Sequence, residues 1–136
     1  MHGDHMKNES SKIFDNVTNK KNLPIYTPDG QTDPKKLANY LEFSNQDMAK
    51  AAGISEKSVR YDNKRMPDSL RIRVAEIANV CEMVAEHFDG DAERTALWFR
   101  FKNPILGGIS PRDMIRFGRY QKLLQVIMDF KHGNIA

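Results

Sequence analysis

The chain has 136 residues, 40% of them hydrophobic and 29% charged, which is the balance of a folded globular protein and the length of one domain or one small domain with an appended module. That size excludes a two-domain enzyme, no apolar run approaches the roughly 20 residues of a membrane span, and the single cysteine, Cys81, excludes an intramolecular disulfide framework and a cysteine-rich zinc site while suiting a cytoplasmic setting. Lysine and arginine exceed aspartate and glutamate by only 21 to 18, a surplus that permits nucleic-acid binding without identifying it.

In chain order, MHGDHM reads partly as an expression remnant, with Met6 as the native start. Residues 7–32 are polar, and only Leu23, Ile25 and Tyr26 form a short apolar patch, so 1–32 reads as a remnant and a flexible arm with at most a brief extended piece. From Asp33 onward the pattern is helix after helix, and the fold class is all-α. Asp33 caps a helix beginning at Pro34 and ending near Leu41. Ser44 with Asp47 resembles a capping box for a second helix through Ala52, which Gly53 stops. Ser55 then caps a third helix, Glu56 to Asn63. After Pro67, Ser69 starts a long helix to Phe88, whose apolar stripe is Leu70, Val74, Ile77, Cys81, Val84 and Phe88. Gly90 ends it, and Asp91 caps a helix carrying Leu97, Trp98, Phe99 and Phe101. The loop Asn103–Gly108 follows, and Ser110-Pro111 opens a last helical stretch bent at Gly118.

Residues 45–61 have the arrangement of a helix-turn-helix, within a 33–68 region. Ala49 is small where two helices cross, Gly53 makes the turn, and Met48, Ile54 and Val59 fill the space between them. The second helix then presents Ser55, Lys57, Ser58, Arg60 and Tyr61 to a DNA groove or backbone, with Lys64 and Arg65 just beyond it to hold phosphates. The plainer alternative is a helical hairpin with a solvated charged face.

Within residues 69–136 the charge is less balanced: from 103 onward there are five basic residues against two acidic ones, Asp113 and Asp129. Arg112, Arg116 and Arg119 step by four and three along one helical face, which is either solvated or aimed at an acidic partner. Gly107-Gly108 lacks the companions of a nucleotide-binding loop and reads first as a turn between helices.

The run Asn103, Pro104, Leu106, Gly107, Gly108 and Pro111, with Trp98 upstream and Met114 and Ile115 downstream, resembles the antitoxins of the Xre/MbcA/ParS type over roughly residues 33–130. The resemblance implies a non-catalytic antitoxin of a type II toxin–antitoxin system. Such a protein binds a RES-type, NAD-degrading toxin or an ADP-ribosyltransferase toxin, covers its active site, and autoregulates its operon by binding operator DNA, here as a homodimer. The matching toxin-binding residues would be Asn103, Pro104, Leu106, Gly107, Gly108 and Pro111; the stripe Arg112, Arg116 and Arg119, in which this chain is richer than many relatives, is added on its charge and expected near a pocket built for a negatively charged cofactor. A transcription regulator without a toxin, or a protein–protein adaptor, are the competing readings.

Nothing in the sequence gathers a metal site or a catalytic constellation, so no cofactor and no enzymatic activity are expected. His87 and His132 lack companions at ligand spacing, Cys81 falls on an apolar stripe, and Trp98 with its neighbouring phenylalanines reads as core.

Overall fold

The computed structural model describes residues 20–133. Among them are six α-helices: α1 Pro34–Leu41, α2 Asn45–Ala52, α3 Asp68–His87, α4 Ala92–Arg100, α5 Pro111–Arg116 and α6 Tyr120–Lys131. Single 3₁₀ turns at Glu56–Ser58 and Pro104–Leu106 complete the regular structure, and the fold class is all-α.

Local chemistry sets most of the boundaries. The Asp33 carboxylate accepts from the Lys35 and Lys36 amides at 2.9 and 3.2 Å, satisfying donors that a helix start leaves orphaned. At α2 the Ser44 hydroxyl accepts from the Asp47 amide at 3.1 Å while the Asp47 carboxylate accepts from the Ser44 amide at 2.9 Å. Gly53, at φ 70°, ends the helix and returns its N–H to the carbonyls of Ala49 and Lys50. Asp91 and Ser110 cap the starts of α4 and α5, their side chains accepting from the Arg94 and Asp113 amides at 3.0 Å each. The long helix begins at Asp68, one residue before the expected Ser69, with Pro67 rather than a polar side chain at its cap. The final stretch is broken rather than bent: α5 ends at Arg116, Gly118 adopts φ 79°, and α6 restarts at Tyr120.

α3 is the axis of the molecule, packed against α1, α2, α4 and α6. Leu70, Ile77, Val80 and Cys81 are fully enclosed along it, and Leu37, Met48, Phe99, Ile115 and Leu123 come to meet them from the other helices. One hydrophobic cluster therefore joins residues on both sides of position 68. It also reaches into the expected arm: Leu23 and Ile25 are buried, and Tyr26 bridges antiparallel to Thr32. What fastens this segment is Glu82, a carboxylate 1% exposed in the middle of α3. It accepts from the amides of Asn22 and Leu23 at 3.0 and 3.1 Å, from the Asn22 side chain, and from the Tyr26 hydroxyl at 2.6 Å. A buried charge persists only when its lone pairs are filled in this way. Residues 20–32 are thus a built part of the fold; the rest of the expected arm lies outside the described residues.

The largest departure from expectation is at 56–63. Instead of an α-helix, this stretch makes one 3₁₀ turn, Glu56–Ser58, and then runs through an extended Val59. Two causes are visible. Ser58, Val59, Tyr61, Asp62 and Asn63 all have modest helix propensity, and the Ser55 hydroxyl bonds Ser58 Oγ at 2.9 Å rather than a backbone N–H, so no cap forms. Meanwhile Val59 and Met66 are both buried, and a turn in which the Arg65 and Met66 amides return to the Asp62 carbonyl lets the chain reach both positions. Burial of two apolar anchors outweighs a weak local preference for helix.

Candidate functional site

Two surfaces emerge: the first is the basic segment that the charge pattern outlines, and the second is an apolar cleft beside the glycine loop rather than the arginine stripe. The first is the segment after α2. Lys57, Arg60, Lys64 and Arg65 are exposed, and among the described residues none of the four pairs with a carboxylate. Arg60 donates to the carbonyl of Val59 at 2.9 Å. Ser55 and Ser58 are exposed and bonded to each other; Tyr61 is half-buried, its hydroxyl 3.3 Å from Asn45 Oδ1. Most of the expected DNA-facing residues are therefore exposed, but they lie on a turn rather than on a helix that could enter a major groove.

The second surface is built around the Asn103–Ile109 loop. Asn103 organises it: its side chain accepts from the Ile105 amide at 2.9 Å, and its carbonyl accepts from Leu106 and Gly108 at 3.0 Å each. Its own amide donates to the Ile109 carbonyl at 3.0 Å. Gly107 and Gly108, at φ 79° and 87°, supply the left-handed backbone that closes this ring, with nothing near enough to collide with a side chain there. Their role is conformational, as the sequence indicates. Pro104 is exposed, Pro111 buried at the start of α5.

Held this way, Ile105 stands out 58% exposed and Leu106 turns inward. Both line an apolar cleft of about 630 Å³, together with Trp98, Met83 and His87 from α4 and α3 and Phe130 from α6. His87 and Phe130 pack at a tilt, 5.8 Å between ring centres, and Glu86 and Lys131 sit 4.0 Å apart on the rim. Phe101 (62% exposed) and Leu97 extend the apolar character outward along α4. Of the residues read as core in this stretch, Phe99 is fully enclosed, whereas Trp98 is half-buried and Phe101 stands in solvent. The i, i+4 pair Leu97–Phe101 on a helix whose enclosed face carries Thr95 and Phe99 was the available signal.

The arginines of the second stretch behave otherwise than as a free stripe. Arg112 turns toward the end of α1, where its Nε and Nη2 donate to the carbonyls of Leu41 and Glu42 at 2.5 and 2.6 Å. Arg116 lies 3.6 Å from both Asp47 and Asp113, an ion-pair distance. Only Arg119, the residue before α6, is exposed. The shortage of local acids misleads because Asp113 lies within 3.7 Å of both Arg112 and Arg116, and carbonyls and a carboxylate some 70 residues away in sequence supply further partners.

Burial pushes the Cys81 thiol well above its ordinary value, with the Glu82 charge adding to the effect. It raises Tyr26 as well, where the hydrogen bond to Glu82 and that same charge reinforce the effect of burial. Both groups stay protonated at neutral pH, Cys81 fully enclosed and Tyr26 half-buried. Among the described residues no three His, Cys, Asp or Glu side chains gather to hold a metal, and no helix is long and apolar enough to cross a membrane. Comparison of the chain with protein-family models, curated proteins and solved structures finds no match.

Proposed function

We propose that the protein is a non-catalytic, cytoplasmic binding protein of antitoxin type. In this reading it captures a toxin of the RES or ADP-ribosyltransferase class on the surface made by the Asn103–Ile109 loop and the apolar cleft behind it. The observation that carries the reading is the loop itself. Its hydrogen bonds fix Asn103, Gly107 and Gly108 in one conformation, and with it Ile105 stands outward while Leu106 and Trp98 both line an open apolar cleft. A rigid loop beside an unfilled apolar cleft suits a protein partner: the ordering cost is already met and the buried area is available. Occlusion of the toxin's active site would rest on this shape, with Arg119 rather than Arg112 or Arg116 as the arginine at liberty to meet a negatively charged pocket.

Operator binding belongs to the same proposal through Lys57, Arg60, Lys64 and Arg65, with a homodimer to double the contacts. A second reading, a protein–protein adaptor that does not touch DNA, draws support from the missing helix at 56–63. Co-expression with the product of the neighbouring reading frame tests the first proposal: a stable complex and restored growth are expected, and both should be lost in Leu106→Asp. Failure to form a complex, with toxicity unrelieved, overturns it. Salt-dependent binding to the upstream DNA that is lost in Lys57→Glu/Arg60→Glu would remove the adaptor reading.

A further inference from the structure

Glu42 occupies an unusual position. It is the residue after α1, with φ 58° and ψ 46°, a left-handed conformation that a residue with a side chain enters only at a cost. The helix end closes around it, with the Glu42 amide donating to the Asn39 carbonyl at 3.2 Å and the Phe43 amide to the Ala38 carbonyl at 2.8 Å, and two arginines brace it from outside. Arg100, the last residue of α4, places Nη2 3.0 Å from Glu42 Oε2. Arg112, in the first turn of α5, donates to the Glu42 and Leu41 carbonyls and lays its guanidinium 5.6 Å from the ring centre of Phe43. Those carbonyls are among the acceptors that the end of α1 leaves unpaired, so Arg112 completes the helix from outside.

Arg100 and Arg112 are also the two stems of the loop that carries Asn103–Ile109. The loop leaves α4 at one and enters α5 just before the other. Both stems therefore close on one strained residue, and that residue stands two positions before Ser44, the cap of α2. α5 grips α2 again further on. Arg116 reaches Asp47, which is itself half of the α2 capping box. Phe117 lies 5.8 Å under the Lys50 ammonium, and a side chain on Gly118 would come within 3.7 Å of the Lys50 carbonyl. α2 leads through Gly53 straight into the exposed basic segment.

We infer that Glu42 is the hinge of a relay between the two surfaces, through which a change in the Asn103–Ile109 loop shifts α2 and the segment 55–66. A displaced loop pulls Arg100 or Arg112; the bracing of the left-handed Glu42 weakens; and α2, whose capped start follows two residues later, shifts and carries the basic segment with it. The relay depends on the contacts alone and not on what binds at either surface, so it can fail while the proposed function stands, and the reverse.

The test uses hydrogen–deuterium exchange on the full chain with no partner present. Gly108→Val disturbs the loop through its backbone, since φ 87° disfavours a β-branched residue and nothing nearby would collide with the side chain. Exchange is expected to rise not only in 103–109 but also in 45–52 and 55–66, by roughly fivefold or more, while the enclosed turns of α3 and the amides of α6 stay unchanged. In Arg112→Lys, which keeps the charge and loses the fork, the 45–66 region starts out raised and Gly108→Val adds nothing to it. Arg100→Gln, at a partly exposed side chain, gives the same non-additivity without threatening the core. Exchange that rises only within 103–110, or uniformly over the chain, or additively in the double variants, overturns the relay.

Discussion

Arg112 and Arg116 in α5 and the run Lys57, Arg60, Lys64 and Arg65 after α2 carry similar charge at similar density, yet they serve opposite ends. The α5 arginines turn inward to the end of α1 and to Asp47, and there act as fasteners between parts of the chain far apart in sequence. The other four remain in solvent without acidic partners among the described residues, and are available to a ligand. The difference is not in the residues but in what the fold brings within about 4 Å of them: unpaired carbonyls at a helix end in one case, water in the other. A cationic stretch is an interaction surface only when the tertiary structure has not already spent it.

The most demanding check uses the inward charge with the most at stake, Glu82. Replacing it by alanine strands the amides of Asn22 and Leu23 and the Tyr26 hydroxyl, and should cost about 3 kcal/mol or more of unfolding free energy, read from urea denaturation. Arg112→Ala should cost about 2 kcal/mol by the same measurement, because two carbonyls at the end of α1 lose their donors. If Arg112→Ala is instead neutral, the inward half of the comparison collapses.

Alkaline titration probes the enclosed groups around the same latch. Cys81 in the folded chain stays protonated where the unfolded thiol, with an ordinary value of 9.0, ionises. Its contribution is complete below about pH 9 and is lost as pH rises further, by about 1 kcal/mol per pH unit at first. Tyr26, Tyr40 and Tyr120 are raised in the same direction from an ordinary value of 10.0 and add to the fall above it. Cys81→Ala should therefore move the onset of alkaline destabilisation from about pH 9 toward about pH 10. Gly107→Ala, forcing a side chain into φ 79°, should cost about 1 kcal/mol while leaving α3 protected from exchange. Smallest of all should be the effects of Lys64→Ala and Arg65→Ala, within about 0.5 kcal/mol of the parent, with any loss appearing instead as a shallower salt dependence of binding to DNA. A large stability loss there would mean that these residues, too, are fasteners.

Much of the fold is legible from short stretches. Asp33, the Ser44–Asp47 box, Asp91 and Ser110 mark helix starts because a cap needs only a side chain and an amide two or three residues apart, and Gly53 marks an end because it takes φ 70° without a side chain to strain. The stripe of Leu70, Val74, Ile77, Cys81 and Val84 marks the central helix because burial follows the helical period. The segment 56–63 was not legible, since its propensity for helix is weak and the decision falls to Val59 and Met66 seeking the core. In the loop, the roles of Gly107 and Gly108 could be read from their type, but not the cleft behind them, whose walls come from α3, α4 and α6.

By itself, then, the amino-acid order determined an all-α chain, the caps and stops of most of its helices, and a glycine turn between α4 and α5. Each of these rests on forces that act within one or two helical turns. The tertiary structure alone decided that Glu82 fastens residues 22–26, that Arg112 closes the end of α1, that 56–63 is a turn, and that Trp98 faces an open cleft. Those outcomes depend on desolvation and on partners supplied from distant positions, and neither is encoded in the neighbourhood of the residue concerned.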